Sequence, residues 1–232
     1  MKKVFLSEES KELLKEYLRN KGLDIIEIKK TGKVYEAISS HPDIYVCKIK
    51  EDIIIEDGQY NLIRDQLTIE EGKYCIGKSR LEEKYPGTIK YNGVALGQYF
   101  IHHIKNTDEK VLEIAMKNQM IIVDVKQGYT KCNIVLVDDH SIITSDAGIA
   151  EVLKDKGIDV LLISKGQVKL SGFEYGFLGG ASGKIGNEIV FNGNLKEHKD
   201  FLAIKEFIEK RKVKIKYFED YPLEDIGSII EV

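Results

Sequence analysis

The sequence has no tryptophan and only three cysteines and three prolines among its 232 residues. Cys47, Cys75 and Cys132 lie far apart and form neither a C-x-x-C pair nor a cysteine–histidine ligand spacing, so we expect no disulfide framework and no metal site. No apolar run approaches the length of a membrane span, and no signal-peptide core precedes the first predicted strand. These absences favour a cytoplasmic protein with no membrane partner.

Neither sign of charge is in large excess. The formal net charge is -3, and lysines alternate with glutamates along the chain. A nucleic-acid-binding face needs clustered basic side chains, so we expect no nucleic-acid partner. No Pro/Ser-rich or low-complexity stretch divides the chain, which predicts a single domain over residues 1–232.

The sequence does contain one pattern five times: a glycine- or proline-led turn, two strands, an amphipathic helix and a β-branched strand. In the third copy we predict a strand over residues 128–137, a second over 142–144, a helix capped by Ser145-Asp146 and a closing strand over 159–164. The approximate repeat ranges are 42–77, 86–125, 128–164, 179–218, and 225–232 combined with 3–28.

Several details of the other repeats follow from the same pattern. The first repeat should have a strand over residues 44–49 and a helix around 62–69. The fifth should combine a strand from 225–232 with a helix that Ser7 caps and that carries Leu13, Leu14, Tyr17 and Leu18. A repeat completed by both termini closes a ring without a free sheet edge. The long segment 165–175 is predicted to be a hairpin or flap over one mouth of that ring.

Five ββαβ-like units, the last built from both termini, resemble the pentein or guanidino-group-modifying-enzyme fold, an α/β propeller with pseudo-fivefold symmetry. Segments 127–132, 179–183 and 221–228 also resemble an uncharacterised bacterial family of that fold. The resemblance implies a polar pocket at the ring centre, formed by the leading ends of the inner strands. In the enzymes of this superfamily a cysteine attacks a guanidinium carbon, a histidine moves protons and acidic side chains bind the planar cation. The same fold also occurs without catalysis, in a ribosome anti-association factor.

The usual catalytic positions of the superfamily are not filled in this chain. Its enzymes carry the nucleophile in the last repeat and a histidine at the head of the fourth, but segments 225–228 and 179–183 have neither residue. A rearranged site is the alternative, because matching residues 53–54 to 142–143 places Asp43 at the ring position of Cys132. His41 lies two residues before Asp43. We therefore predict Cys132, His41 and Asp43 as the catalytic residues.

The remaining predicted site residues would bind the ligand; they are Asp225, Ser182, Lys131, Ser228 and Gly180. Lys131 would lower the pKa of the Cys132 thiol, and Ser182 or Ser228 would orient the substrate or act as a weaker nucleophile. Segment 179–184 lacks the spacing of a Walker A loop, so its glycines are predicted to let backbones approach at a crowded axis. No cofactor is implied, because thiol, imidazole and carboxylate groups suffice for this chemistry.

Plainer roles compete with these assignments. Cys132 would simply pack at the head of an apolar strand, and residues 41–43 would form a turn in which Asp43 caps backbone amides. Two function classes therefore stay open. One is a pocket for a small, cationic guanidino or amidine ligand, with turnover by a cysteine-dependent hydrolase or amidinotransferase. The other is a noncatalytic pentein that binds a macromolecule. The sequence does not decide between these two classes, and it does not indicate the oligomeric state.

Overall fold

A computed structural model describes residues 2–67 and 73–232. The strands are β1 (Lys3–Ser7), β2 (Asp24–Ile28), β3 (Val46–Ile49), β4 (Asp52–Ile55), β5 (Lys73–Ile76), β6 (Val94–Leu96), β7 (Tyr99–His102), β8 (Ile121–Asp124), β9 (Ile134–Asp138), β10 (Ser141–Thr144), β11 (Asp159–Leu162), β12 (Ser182–Ile185), β13 (Glu188–Phe191), β14 (Lys214–Lys216) and β15 (Ile230–Glu231). The α-helices are α1 (Glu12–Asn20), α2 (Pro42–Tyr45), α3 (Asp57–Ile63), α4 (Glu109–Lys117), α5 (Thr130–Asn133), α6 (Ala147–Lys154) and α7 (Phe201–Glu209).

The strands form five separate three-stranded sheets, one for each predicted repeat. In every sheet the middle strand is antiparallel to the first strand of the unit and parallel to the last, with a helical connection before the last strand. In the fifth sheet β15 pairs with β1, so that Val4 faces Glu231 and Phe5 faces Ile230. The two ends of the chain therefore complete one unit, as the sequence pattern predicted.

The first strands of the five units form the inner wall of a ring. β3 contacts β6, β6 contacts β9, β9 contacts β12, and β12 contacts β15. Lys48 of β3 donates a 2.6 Å hydrogen bond to the carbonyl oxygen of Glu231 in β15, which joins the two ends of this series. The turns that lead into these strands consequently meet near one axis.

The longer helices pack on the sheets: α1, α6 and α7 contact strands of their own units, whereas α3 contacts β2 and α4 contacts β3 and β4 of a neighbouring unit. In α6 the buried residues are Ile149, Ala150 and Leu153, at the spacing that places side chains on one helix face. Burial of each large aliphatic side chain contributes about 2 kcal/mol. Asp146 caps this helix by accepting the backbone N–H of Ile149, which confirms the predicted cap. No helix within the described residues is long and apolar enough to cross a membrane.

Two predicted strands begin later than expected, because helical turns precede them. The predicted strand 44–49 is replaced by α2 followed by β3, and the predicted strand 128–137 by α5 followed by β9. Pro42 is the first residue of α2, where its fixed φ and missing N–H suit a helix start. Cys132 therefore lies in a helical turn rather than at the head of a strand.

Two helix predictions are also corrected. The helix placed around 62–69 begins at Asp57 instead, because the side chain of Glu56 accepts the N–H of Gln59 and caps an earlier turn; residues 68–72 lie outside the described residues. Ser7 does not cap α1. Its hydroxyl is hydrogen bonded to that of Ser40, 2.7 Å away, and Leu13 of α1 is 41% exposed.

Candidate functional site

The turns before the inner strands bring most of the predicted site residues together. Asn92, Cys132, Gly180 and Ser228 each lie two residues before the first strand of their unit, and Asp43 lies three residues before β3. Each unit thereby contributes one residue near the axis. The structure thus unites side chains that are up to 185 residues apart in the chain.

Cys132 and Asp43 are in direct contact. The Cys132 Sγ atom lies 3.1 Å from Asp43 Oδ2, and Cys132 is 4% exposed while Asp43 is fully buried. Burial and the neighbouring Asp43 charge raise the pKa of the Cys132 thiol well above its ordinary value, and burial also raises the pKa of Asp43. In the free protein Cys132 is therefore a thiol, and it donates to Asp43 Oδ2. The net shift is opposite to the lowering that we predicted from Lys131.

Asn92 holds this pair in place. Its Nδ2 donates to the Asp43 carbonyl oxygen at 2.9 Å and lies 3.2 Å from Cys132 Sγ. Its Oδ1 accepts the backbone N–H of Lys131 at 2.8 Å. Asn92 is fully buried. We did not predict it from the sequence, although its position in the second repeat matches that of Cys132 in the third.

Ser228 and Lys131 extend the network on the other side of Asp43. The Ser228 hydroxyl lies 2.7 Å from Asp43 Oδ2 and 3.0 Å from the Gly179 carbonyl oxygen, and it accepts from Lys131 Nζ at 3.1 Å. Ser228 has a φ of 69°, in the left-handed region that non-glycine residues seldom occupy. Its backbone is held there by a 2.7 Å hydrogen bond from its N–H to the Gly180 carbonyl oxygen. A strained backbone that presents a hydroxyl to a buried carboxylate is typical of functional sites.

Asp225 and His41 form a second polar group. The two carboxylate oxygens of Asp225 accept the backbone N–H groups of Gly227 at 3.0 Å and Phe177 at 2.9 Å. Burial raises the pKa of Asp225 to about 6 and lowers that of His41 to about 4. The His41 Nδ1 atom is 3.7 Å from Asp225 Oδ1, too far for a direct hydrogen bond. His41 is therefore a neutral imidazole beside an ionised carboxylate at pH 7.

Gly180 explains how Asp225 reaches this position. A Cβ atom on Gly180 would overlap the Asp225 carboxylate, so only glycine leaves room for that side chain. This is the close backbone approach that we predicted for the glycine segment. The Ser182 hydroxyl, by contrast, is directed to the Gly179 carbonyl oxygen at 3.4 Å.

A cavity of about 290 Å³, which we call the front cavity, opens onto these groups. Cys132, His41 and Asp225 supply polar groups to its lining, and Asp43 lies behind Cys132 rather than in the lining. The predicted hairpin 165–175 contributes to one side, held by an antiparallel bridge between Val168 and Gly176. The aromatic residues of the lining are Tyr35, Tyr129, Phe173, Tyr175 and Phe177.

Other histidines and cysteines do not line the front cavity. His102 is fully buried and His103 is partly exposed. His198 is only 3% exposed, and Cys75 is partly exposed. Within residues 2–67 and 73–232 no three His, Cys, Asp or Glu side chains converge to hold a metal ion.

The five-unit ring, with polar residues at the leading ends of its inner strands, defines an α/β protein of pentein fold. Comparison with solved structures confirms this prediction. A dimethylarginine dimethylaminohydrolase from Pseudomonas aeruginosa, a mutant in complex with citrulline, is similar with a TM-score of 0.58 and 11% identity, covering 97% of this chain and 92% of that one. Agmatine deiminase from C. jejuni is similar with a TM-score of 0.55 and 12% identity, covering 95% and 90%. An amidinotransferase of saxitoxin biosynthesis from Microseira wollei has a TM-score of 0.55 and 9% identity, covering 94% and 89%.

At these identities the likeness establishes the fold alone. The sequence matches a family model over residues 5–230, and the chain belongs to that family, which is described as a family of unknown function (DUF6873). No curated protein matches the chain. What the site does must therefore be argued from its own geometry.

Proposed function

We propose that the front cavity binds a small planar cation, a guanidino or amidine group, and that Cys132 attacks its central carbon. The observation that carries the proposal is the contact between the Cys132 thiol and the Asp43 carboxylate, with the Asp225 carboxylate in the lining of the same cavity. Thiol, base and cation-binding group are the inventory that covalent amidine chemistry requires.

The cavity suits a compact cation. Its volume of about 290 Å³ is at the lower end of the range for small-molecule sites. Asp225 offers a buried carboxylate, which matches the N–H fork of a guanidinium or amidinium group. The walls include Tyr35 and Phe173, with ring centroids 5.3 Å apart, and a cation that contacts an aromatic face is attracted to it. A neutral ligand of the same shape could still donate a hydrogen bond to Asp225, but it would lack both charge-dependent attractions.

Ligand charge would also activate the thiol. A cation beside Cys132 favours the thiolate and opposes the burial that raises its pKa in the free protein. The thiol proton then passes to Asp43, whose raised pKa suits it as the acceptor. The thiol is thus inert until a cationic ligand arrives.

The proposed reaction balances without a cofactor. With a guanidino ligand, the sulfur forms a bond to the guanidinium carbon, the C–N bond to the leaving amine breaks, and the amine takes the proton that Asp43 received. The remaining amidino group is held on Cys132 as a thiouronium cation. Water then adds to that carbon and His41 accepts one of its protons, which it later passes to solvent. The other proton goes to the sulfur as the C–S bond breaks, which restores the thiol and releases a urea-type product. If an amine attacks instead of water, the amidino group is transferred to it.

The test uses two alkylating reagents of nearly equal size, cationic chloroacetamidine and neutral chloroacetamide, with labelled sites identified by mass spectrometry. After correction for their rates with free cysteine, the cation should label Cys132 at least about tenfold faster than the neutral reagent, because one charge-assisted pairing is worth that much. The Asp225→Asn variant should lose this preference, and Cys132→Ser should lose the label.

The competing outcome is equally clear. Equal rates for both reagents, or labelling confined to the partly exposed Cys75, would contradict the proposal and favour the noncatalytic, macromolecule-binding alternative. Fully buried Cys47, whose pKa burial raises to about 12, serves as the internal control for general unfolding, because it should stay unlabelled in the folded protein.

A further inference from the structure

A second cavity, which we call the lysine cavity, lies among the five inner strands. Its volume is about 360 Å³, and strands β3, β6, β9, β12 and β15 all contribute to its lining. It shares no lining residue with the front cavity. Lys131, the neighbour of Cys132, lines the lysine cavity, and so does Ser182. Two of the predicted ligand-binding residues, Lys131 and Ser182, therefore line a different cavity from the predicted nucleophile, Cys132.

The charged residues that line this cavity are mostly cationic. Four are lysines, at positions 48, 50, 131 and 184, and one is Glu231, in a chain whose formal net charge is -3. The Glu231 carboxylate is already paired with a cation, because it accepts from Lys2 Nζ at 2.9 Å, and it also accepts the Gly186 N–H at 2.9 Å. The lining therefore carries an excess of positive charge.

Three of these ammonium groups have donors to spare. Lys48 Nζ donates to the Glu231 carbonyl oxygen and Lys184 Nζ to the Val137 carbonyl oxygen, both at 2.6 Å, while Lys131 Nζ donates to Ser228 Oγ at 3.1 Å. An ammonium group has three N–H donors. Among the described residues no carboxylate oxygen lies within 4 Å of any of these three nitrogens. Lys131 reaches Asp43 only through the Ser228 hydroxyl, and Lys48 and Lys184 donate to carbonyl oxygens. None of the three therefore has a direct carboxylate partner in the described part of the chain.

Incomplete solvation disfavours the charged lysines in the free protein, although all three side chains stay partly exposed. Burial lowers the pKa of both Lys48 and Lys131, because the charged form is poorly solvated there. A bound anion would replace the missing solvation and offset that cost. The cavity volume, in the range of small-molecule sites, fits a compact ligand rather than a segment of a macromolecule.

We propose that the lysine cavity binds a compact anion through phosphate or carboxylate groups, with Lys48, Lys131 and Lys184 as its cationic ligands. Lysine ammonium groups are common phosphate ligands that act as point charges. The proposal does not depend on covalent chemistry at Cys132, because the two cavities are lined by different residues.

The experiment measures binding of inorganic phosphate and of malonate by isothermal titration calorimetry, with sodium chloride keeping the ionic strength constant. We expect saturable binding of one anion per chain for at least one of them, and the one that binds more tightly identifies the preferred group. Lys48→Gln and Lys184→Gln should each weaken binding about tenfold, because each removes one charge-assisted contact. Lys105→Gln, at an exposed lysine outside the cavity lining, is the matched control and should bind like the wild type.

Wild-type protein alone gives an independent measurement if a variant is unstable. In an amide NMR titration, the signals of Gly183 and Gly186, both in the cavity lining, should shift with the same saturation curve as the calorimetry. Absence of saturable binding of either anion at about 10 mM, well above the Kd of a weak specific site, would overturn the proposal. Equal weakening by Lys105→Gln, or shifts spread over the surface, would do so as well.

Discussion

Replacement of Asp225 by asparagine should change how the stability of the protein depends on pH. The wild-type carboxylate is almost fully buried, and its pKa is raised from 3.8 to about 6, chiefly by burial. The folded state therefore holds this proton more tightly than the unfolded state does. Consequently the protonated carboxyl group contributes stability that is fully present below pH 3.8 and is lost as the pH rises through 6.

The size of this effect follows from the two pKa values. Their difference, at about 1.4 kcal/mol per pKa unit, corresponds to about 3 kcal/mol of lost stability at pH 7 and above. Asparagine does not ionise and escapes that loss. The asparagine side chain, however, has only one acceptor oxygen, whereas the two carboxylate oxygens accept the backbone N–H groups of Phe177 and Gly227 in the wild type. Its NH₂ group therefore faces one of these two donors, and this mismatch costs about 1–3 kcal/mol at every pH.

The pH dependence separates these two effects. Urea denaturation of wild type and Asp225→Asn from pH 4 to pH 8 should show the variant less stable at pH 4 and gaining on the wild type by about 2–3 kcal/mol as the pH rises. Asp139→Asn, at an exposed carboxylate in the β9–β10 hairpin, is the control and should stay within about 0.5 kcal/mol of the wild type throughout. A difference between Asp225→Asn and wild type that does not change with pH, or that changes in the opposite direction, would refute the burial argument.

Three further substitutions test other parts of the network. Asn92→Ala should lower the unfolding free energy by about 3 kcal/mol, since it removes the hydrogen-bond partner of several buried groups around Cys132; unchanged urea denaturation would contradict that role. Burial lowers the pKa of His102 from 6.5 to about 3, so the protein loses stability as the pH falls below 6.5. This residue alone should account for a loss of about 2 kcal/mol between pH 7 and pH 5. His102→Gln should lack that part of the slope in the same denaturation series, and a slope equal to wild type would count against it. Gly180→Ala should cost about 1–3 kcal/mol and slow chloroacetamidine labelling, because the new methyl group displaces Asp225; wild-type behaviour in both assays would disprove the close approach.

The sequence alone determined the arrangement of the five units. Alternation of strand and helix periods, helix caps such as Asp146, and the split fifth repeat are local patterns, and each predicted unit corresponds to one three-stranded sheet. Local patterns suffice for the strands because every unit pairs its own three strands, although α3 and α4 pack on a neighbouring unit. Where a helical turn competed with a strand, as at Pro42–Tyr45 and Thr130–Asn133, the same patterns predicted the wrong element boundaries.

Only the tertiary structure decided the chemistry of the centre. Asp43 and Cys132 are 89 residues apart, and their 3.1 Å contact depends on how neighbouring units pack around the axis. The direction of the thiol pKa shift was predicted wrongly, because burial and Asp43 outweigh the lysine that adjoins Cys132 in the sequence. Lys131 and Cys132 are consecutive, yet they line different cavities. Desolvation and charge act through space, so groups brought together from separate units set the protonation of this site, and no pattern within one unit encodes it.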